Sequence, residues 1–402
     1  ATASGLQHWA KLHVKWPPVD QLGEFLEVRV TDALNLHLVA RKALSSGDLV
    51  LSESALLRVP DPSDDMRRQV DRRCGSKMAA FMCPAVAVDW SKVDDELQQA
   101  FMKLFWVHPL MRDRSNAVVQ DSFSACRDLI KWHAPLKGWT ADDLVRFLHI
   151  VDLNIHRDDE VPSHAHFAGI FVLGSKFSHS CSPNCTWSFA SDGCLQYRAL
   201  RAIAPGDLLT FSYVGNGMNL VVSTFQRRQR LASLWFLCQC SRCMGPDYSR
   251  QVVCPRCQEA KCMPKVESAE ESALWTGERS LQESLLDAKT WECKACGSSC
   301  DAGEVPVMAE EEFSHLVPKM MSRPAESAAE DLPRAAELRE KVARTLGKMH
   351  WTWVLATFAW LQKYLVVLRS EPTVEVDEAE LQEGCSAIAR WFEACLPESI
   401  EQ

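Results

Sequence analysis

The sequence predicts an α+β fold that carries a cysteine-rich module, and three observations lead to this prediction. Short apolar runs separated by turns fill residues 24–60 and return at 169–214, which is typical of antiparallel strands. Apolar residues at helical spacing fill 64–153 and the chain beyond 305. Twelve of the 17 cysteines lie between 181 and 300, where their close pairs are typical of metal ligands.

The first strand region consists of three apolar runs joined by turn residues. The runs are FLEVRV, LHLVARKAL and LVLSESALLRV, with SSGD as a turn and with Pro60 and Pro62 at the end. Such short runs between turns favour β-hairpins. We expect residues 1–60 to form the first part of a β-rich domain.

The second region shows helical periodicity and then gives way to strands again. Helices are predicted in DELQQAFMKLFW, SACRDLIKWH and TADDLVRFLHIVDLN, the last of which opens with Thr140 as an N-cap. Residues 61–150 are therefore expected to form a helical insert. Strands resume in GIFVLGSKF, TWSFA, LQYRALRAI and DLLTFSYV, so that 151–237 completes the β-rich domain.

The end of the chain, 301–402, is predicted to form a helical C-terminal domain. Its most apolar window is WTWVLATFAWLQKYLVVL at 351–368. Gln362 and Lys363 stand in the second half of this window, which favours a buried helix over a membrane span.

Composition and charge exclude several classes of function. The 402 residues are 47% apolar and 24% charged, which predicts a globular protein with a sizeable core. A net charge of -9 provides no broad positive field, so general binding to nucleic acid or to an anionic membrane is not expected. A basic protein or peptide suits this charge better. The N-terminus lacks the features of a signal peptide, so free thiols in the cytoplasm, the nucleus or both are expected.

The stretch SKFSHSCSPNC at 175–185 allows three interpretations: a tight turn, a metal site, or a loop that holds a cofactor with its backbone. Further along, CQCSRC supplies Cys238, Cys240 and Cys243, which are three of the four ligands of a closed tetrahedral zinc site. Cys181 is the predicted fourth ligand, because a metal bond would explain the cysteine in that distant loop. Unpaired thiols in a turn remain the alternative.

Two CxxC pairs, CPRC and CKAC, predict a second zinc site with the layout of a zinc ribbon. Their thiols are Cys254, Cys257, Cys293 and Cys296. A long, helical-looking insert separates the pairs, and Cys262 and Cys300 are either spare ligands or core thiols. We expect 238–300 to form a cysteine-rich module stabilised by structural zinc.

Three motifs together resemble the SET-domain protein lysine methyltransferases, and they are most similar to the SET-and-MYND (SMYD-like) subgroup. They are FSHSCSPN, RALRAIAPGDLLTFSYV and RRQRLASLWFLCQCSRC, in the order in which that family has them. VARKALSSGDLVLSESALL also resembles the family's first hairpin, so the resemblance covers about 24–60 and 150–243. Between 60 and 150 the cysteines are too few and too far apart for a MYND zinc finger.

The resemblance implies a pseudoknotted SET β-fold with a helical insert, a zinc-binding post-SET module and a helical C-terminal region. In such a fold the segment around 178–184 threads beside the stretch that ends at Tyr213, with S-adenosylmethionine between them. Tyr213 would be the catalytic residue, Asn184 would hold the knot together, and Cys181 would bind zinc. For Tyr213 the alternative is a core side chain on a strand.

The resemblance also implies a set of cofactor-binding positions: Asn35, His37, Asn154, Ser178, His179 and Phe236. His179 would act mainly through its backbone, and Phe236 would stack on adenine, although a structural role is the alternative for both. Two features depart from the family. Its Gly-x-Gly falls on Asn35 to His37, where side chains stand in place of close backbone approach, and its leading Asn is Ser178.

The leading hypothesis is an S-adenosylmethionine-dependent protein-lysine N-methyltransferase that acts on a histone or another protein. Zinc would be its structural metal, and we expect a monomer without membrane or direct nucleic-acid contact. The alternative is a catalytically inactive SET-fold protein that serves as a zinc-binding interaction scaffold. A zinc-ribbon nucleic-acid binder is a third class, which the acidic balance disfavours.

Overall fold

The computed structural model describes residues 25–31, 35–104, 117–157, 168–215, 217–232, 234, 238–265, 290–370 and 378–395. The chain divides into two units. The first covers Ala1–Ser178 and Pro183–Phe211, and the second covers His179–Ser182 and Ser212–Gln402. The chain therefore crosses between the units three times, and two of these crossings flank the segment His179–Ser182.

Short strands form the first part of the architecture, and those of its hairpin and its two three-stranded sheets are antiparallel. The strands are β1 (Leu26–Thr31), β2 (Asn35–Ala40), β3 (Leu49–Glu53), β4 (Leu57–Arg58), β5 (Ile155–Arg157), β6 (Ala168–Ile170), β7 (Ser178–His179, whose second residue begins the second unit), β8 (Cys185–Phe189), β9 (Leu195–Ala199) and β10 (Thr210–Phe211). β1 and β2 form a hairpin in which Leu26 faces Ala40. Two three-stranded sheets follow, in the orders β3-β9-β8 and β4-β6-β5.

β9 shows why these short runs become strands. Leu195, Tyr197 and Ala199 are buried, whereas Gln196 and Arg198 between them are not. This alternation has the two-residue period of a pleated strand with one face on a core. The buried face packs into a hydrophobic cluster with residues of β2, β3 and β8.

The helices of the first unit lie where helical periodicity predicted them. They are α1 (Asp64–Cys74), α2 (Ser76–Ala87), α3 (Asp95–Phe101), α4 (Ala117–Trp132) and α5 (Ala141–Asn154). Thr140 is confirmed as an N-cap, since its hydroxyl accepts the amide of Asp143 at 3.1 Å. Buried side chains such as Phe101, Leu129 and Phe147 form the core of this helical part.

The second unit combines a small sheet with longer helices. Its elements are α6 (Thr224–Ala232), α7 (Ser241–Met244), β11 (Cys262–Pro264), β12 (Thr290–Cys293), β13 (Ser299–Asp301), α8 (Val307–Met321), α9 (Ala328–Thr345), α10 (Trp351–Ser370) and α11 (Glu378–Cys395). The three strands are antiparallel in the order β11-β12-β13. Trp291 of β12 packs in one hydrophobic cluster with residues of α8 and α10.

The prediction of a buried helix at 351–368 is confirmed by α10. Trp353, Val354 and Trp360 are each no more than 2% exposed. Lys363 is also buried, and its ammonium donates to the carbonyl of Arg323 at 2.6 Å. Among the described helices, none has both the length and the apolarity that a membrane crossing requires.

A buried ionic cluster joins three parts of the second unit. The Arg250 guanidinium donates to the carboxylate of Glu310 in α8 through Nε at 3.0 Å and through Nη2 at 2.6 Å. Trp351, at the start of α10, donates from its indole nitrogen to the same carboxylate at 2.9 Å. Arg250 also lies over the Trp291 ring, with 5.0 Å between Cζ and the ring centroid. The cluster therefore connects the small sheet to the C-terminal helices.

Candidate metal centres and active site

Four of the predicted ligand cysteines meet around the short helix α7. The sulfur atoms of Cys181, Cys238, Cys240 and Cys243 all lie within 4.8 Å of one another. Cys240 is the N-cap of α7, and its amide donates to the Cys238 sulfur at 3.5 Å, so the CxCxxC spacing itself gathers three of the thiols. Cys181 arrives from the threaded segment, with its sulfur 3.4 Å from that of Cys243. We call this set the first cysteine group.

The first cysteine group fits a tetrahedral zinc ion. Zn–S bonds of about 2.3 Å place neighbouring sulfur atoms about 3.8 Å apart, which agrees with the close approach of these thiols. Cys181, Cys238 and Cys243 are at most 3% exposed. A buried ion held by four thiolates carries a net negative charge, which requires positive charge or hydrogen-bond donors nearby.

Two arginines supply positive charge beside this group. Arg227 is 0% exposed, and its Nη2 lies 3.9 Å from the Cys243 sulfur. Arg242 donates from Nη1 to the Cys181 carbonyl at 2.9 Å. Nε of Arg227 and Nη2 of Arg242 are buried atoms that have no hydrogen-bond partner among the described residues. Hydrogen bonding with the Cys181 and Cys238 thiols, together with the Arg227 charge, lowers the pKa of Cys243.

The other four predicted ligands form a second cysteine group, built from two matching turns. The sulfur atoms of Cys254, Cys257, Cys293 and Cys296 lie within 4.8 Å of one another. In each turn, the backbone N–H of the residue four positions after the first cysteine donates to the backbone carbonyl of that cysteine. Gln258 does so at 2.9 Å and Gly297 at 2.8 Å, and both have a positive φ, of 61° and 72°. Such paired turns are typical of a zinc ribbon, and the four thiols could hold a metal ion.

The remaining thiols of this region belong to the core. Cys262 and Cys300 are 0% and 1% exposed, lie outside both cysteine groups and pack in a hydrophobic cluster with Trp291. The structure thus favours core thiols over spare ligands at these two positions. The helical-looking insert predicted between the two CxxC pairs lies at 266–289, outside the described residues.

Asn184 and Ser178 hold the two ends of the threaded segment against the stretch 208–210. The Asn184 amide nitrogen donates to the Leu208 carbonyl at 2.8 Å, and its amide oxygen accepts the backbone N–H of Thr210 at 2.8 Å. The Ser178 backbone N–H donates to the Leu209 carbonyl at 3.1 Å. Asn184 is 7% exposed, so these bonds are protected from water. This is the role that the resemblance implies for Asn184.

A buried carboxylate fixes the loop that leads into this segment. Glu53 accepts the backbone N–H groups of Val172, Leu173 and Gly174 at 2.8 to 3.1 Å. Burial raises the pKa of Glu53, while these hydrogen bonds oppose the rise. Gly174 leaves no room for a side chain, because a Cβ there would lie 2.5 Å from the Leu195 side chain.

His179 and Tyr213 come together in the second unit, 34 residues apart in sequence. The Tyr213 backbone N–H donates to Nδ1 of His179 at 3.0 Å, and the two ring centroids are 5.2 Å apart. Nε2 of the same imidazole lies 3.3 Å from the Cys181 sulfur. Tyr213 as a whole is 37% exposed, but its hydroxyl is desolvated. This desolvation raises the pKa of Tyr213 above its usual range. The hydroxyl therefore keeps its proton at neutral pH.

The other predicted cofactor positions lie in the first unit or outside the described residues. Asn154 ends α5, is 4% exposed and donates to the Ile150 carbonyl at 2.7 Å. Asn35 begins β2 opposite Thr31, and His37 lies in the same strand with 4% exposure. Phe236 is outside the described residues.

Sequence reasoning missed several buried polar residues. His156 lies two residues beyond Asn154 and is hydrogen-bonded through Nε2 to the Tyr197 hydroxyl at 2.6 Å. Desolvation lowers the pKa of His156 to about 4, so the ring is neutral. Arg227 and Arg242 were also missed as neighbours of the first cysteine group. The arginine run in RRQR, just before CQCSRC, was the signal that could have identified Arg227.

Comparison with known proteins identifies the domain around this site. Residues 35–214 match the family model of the SET domain. The predicted SET fold class is confirmed, with mixed helix and sheet, cysteine groups that could bind zinc, and a helical C-terminal region.

Three relatives illustrate how far the similarity extends. A SET domain-containing protein of Acanthamoeba polyphaga mimivirus is 38% identical over 82 residues, which are 20% of this chain and 30% of that protein. A SET and MYND domain-containing protein of Dictyostelium discoideum is 28% identical over 117 residues, 27% of this chain and 33% of that protein. The histone-lysine N-methyltransferase ASHR1 of Arabidopsis thaliana is 26% identical over 208 residues, 50% of this chain and 38% of that protein. The matches thus span less than two fifths of each relative.

Proposed function

We propose that this chain is an S-adenosylmethionine-dependent protein-lysine N-methyltransferase of the SMYD-like subgroup, without a MYND finger. The SET-domain match supports lysine methyl transfer in general, as does the name of the Arabidopsis relative. The observation that carries the proposal is the contact between His179 and Tyr213. It joins the two motifs on which the resemblance rests.

The reaction needs a neutral lysine amine. When bound, S-adenosylmethionine would supply a methyl group carried on a sulfonium, with the thioether as the leaving group. A lysine of ordinary pKa is protonated at pH 7, and removing that proton costs about 4–5 kcal/mol. Desolvation of the ammonium and a neighbouring positive charge both reduce this cost, because each disfavours the charged form.

Tyr213 is the residue proposed to orient the amine. Its raised pKa keeps the phenol protonated, so the hydroxyl can both donate and accept hydrogen bonds. The hydrogen bond from its backbone N–H to His179 holds the Tyr213 backbone, and from there the phenol can hold the amine in line with the methyl group, which is a positioning effect. Its residue exposure of 37% leaves part of its surface open to a substrate.

The structural metal would be zinc, held by the two cysteine groups. In the first group, Cys181 belongs to the threaded segment that also carries His179, so metal binding would tie this segment to the post-SET cysteines. The cofactor would be held by Asn35, His37, Asn154, Ser178, His179 and Phe236.

One observation favours the alternative of an inactive scaffold. His37 stands where the resemblance implies a glycine, and its side chain is buried in β2. A side chain at this position can occupy space that the backbone of relatives leaves to the cofactor.

Isothermal titration calorimetry of the zinc-loaded chain with S-adenosylmethionine tests the proposal. An enzyme is expected to give a saturable heat, and Tyr213→Phe is expected to preserve it, because the proposed role of the hydroxyl is in the transfer step. His37→Gly should tighten binding if the imidazole restricts the cofactor space. The absence of saturable heat in both the wild-type chain and His37→Gly would favour the scaffold and contradict the enzyme.

A further inference from the structure

The imidazole of His179 bridges a cysteine of the first group and the backbone of Tyr213. Its Nε2 is 3.3 Å from the Cys181 sulfur and its Nδ1 is 3.0 Å from the Tyr213 nitrogen. We propose that His179 is a positioning residue through which metal binding at the first cysteine group sets the placement of Tyr213. The role given to Tyr213 rests on the proposed function.

The hydrogen bonds define the state of the ring. Nδ1 accepts the Tyr213 N–H, so it carries no proton. The proton of the neutral imidazole is then on Nε2, which points at the Cys181 sulfur. A metal ion bound to Cys181 would fix the position of its sulfur, which is the atom that Nε2 contacts. The ring is therefore held more firmly when the group holds its metal.

The effect on Tyr213 follows from its surroundings. Tyr213 is partly exposed, whereas Cys181 is buried, so the imidazole links a partly exposed residue to a buried group. Val214, the next residue, packs on the same cluster of Cys181, Leu231, Cys238 and Cys243. Loss of the ring contact leaves the Tyr213 N–H without this acceptor, and the ring of Tyr213 without its tilted neighbour 5.2 Å away.

Two conservative substitutions separate the two halves of the bridge. In His179→Asn the amide oxygen takes the place of Nδ1, so the acceptor for the Tyr213 N–H is kept and the donor to Cys181 is lost. In His179→Gln the amide nitrogen takes the place of Nε2, so the donor to Cys181 is kept and the acceptor for Tyr213 is lost. Each variant is therefore the control for the other.

Hydrogen–deuterium exchange of the Tyr213 amide and zinc release to a chromogenic chelator measure the two halves without any catalytic assay. For His179→Gln we expect exchange about tenfold faster than in the wild-type chain, since one hydrogen bond is lost, with unchanged zinc release. For His179→Asn we expect faster zinc release and an exchange rate between those of the wild-type chain and His179→Gln, because the acceptor for Tyr213 is kept but is no longer held by Cys181. In a methyl-transfer assay kcat should fall in both variants, more in His179→Gln than in His179→Asn, with KM for the peptide unchanged in both.

The proposal is overturned if both variants keep the Tyr213 amide protected, or if both expose it equally. Should either variant fail to fold, the ring nitrogen resonances of ¹⁵N-histidine in the wild-type chain decide. A proton on Nε2 supports the bridge, and a proton on Nδ1 refutes it. A chain without methyltransferase activity would refute the proposed function, whereas exchange and zinc release would still test the bridge.

Discussion

Replacement of Glu310 by Gln tests the buried ionic cluster of the second unit. The Arg250 and Glu310 side chains are 6% and 10% exposed, and the carboxylate accepts three hydrogen bonds from Arg250. The amide of the Glu310→Gln variant would keep an acceptor for the Trp351 indole but would leave the Arg250 charge unpaired. Breaking a buried pair in this way costs about 3–5 kcal/mol. With a urea m-value of about 3 kcal/mol/M, the midpoint should fall by about 1–1.7 M.

The assay is urea unfolding of the zinc-loaded chain, followed by tryptophan fluorescence because Trp291 and Trp351 contact the cluster. Glu312→Gln, on the same helix, is the matched control. Its partner is Lys341 at 2.9 Å, and both side chains are more than half exposed, so the midpoint should move by less than about 0.3 M. Arg250→Met should lower the free energy of unfolding less in the Glu310→Gln chain than in the wild type, because in the Glu310→Gln chain it removes an unpaired charge.

The same pair gives a pH dependence of known sign. Burial opposes ionisation of Glu310, but the charge of Arg250 and hydrogen bonds from His350 and Arg250 hold its pKa well below the usual range. A carboxyl whose pKa is lowered by folding stabilises the folded state at pH values above its pKa in the unfolded chain, which is about 4.3. The difference in stability between the wild-type chain and Glu310→Gln should therefore be constant from neutral pH to about pH 5 and shrink at lower pH. Equal midpoints for Glu310→Gln and Glu312→Gln at pH 7 would show that the Arg250–Glu310 pair does not stabilise the fold.

Two further predictions concern the metal groups and the threaded segment. Elemental analysis should find two zinc ions per chain. Cys257→Ser should leave one ion, whereas the control Cys385→Ser, at an exposed thiol, should leave two. An unchanged zinc content in Cys257→Ser would contradict the second site. Asn184→Ala removes the hydrogen bonds to Leu208 and Thr210 and should lower stability by about 2–3 kcal/mol, as measured by thermal unfolding. A loss below about 0.5 kcal/mol would show that these bonds do not hold the threaded segment.

Local patterns allowed much of the fold to be predicted. The apolar run LQYRALRAI between turns predicted β9, and the Thr140 cap and the buried helix at 351–368 followed from capping and polarity. The CxxC and CxCxxC spacings identified seven of the eight grouped cysteines, because residues so close in sequence are close in space. Cys181 required an argument from a distant loop together with the resemblance.

The remaining features depend on single long-range contacts that leave no periodicity. Arg250 and Glu310 are 60 residues apart, and His156 and Tyr197 are 41 apart, with no spacing rule that would pair them. The Nδ1 and Nε2 contacts of His179 likewise exist only once the threaded segment is placed. The predicted five-segment domain organisation, the SMYD-like subgroup and the cofactor positions stay predictions, and Phe236 lies outside the described residues.

Mass spectrometry of a lysine-peptide and histone array, incubated with the zinc-loaded chain and S-adenosylmethionine, shows directly whether this chain methylates lysine. Methyl groups are expected on lysine with the wild-type chain and with the control Tyr248→Phe. Tyr213→Phe should lower the rate about 100-fold, which is the scale of losing one transition-state hydrogen-bonding group. Two results would contradict the proposed function. One is methylation at an undiminished rate by Tyr213→Phe, and the other is the lack of methylated lysine on every peptide and histone with a chain that binds the cofactor.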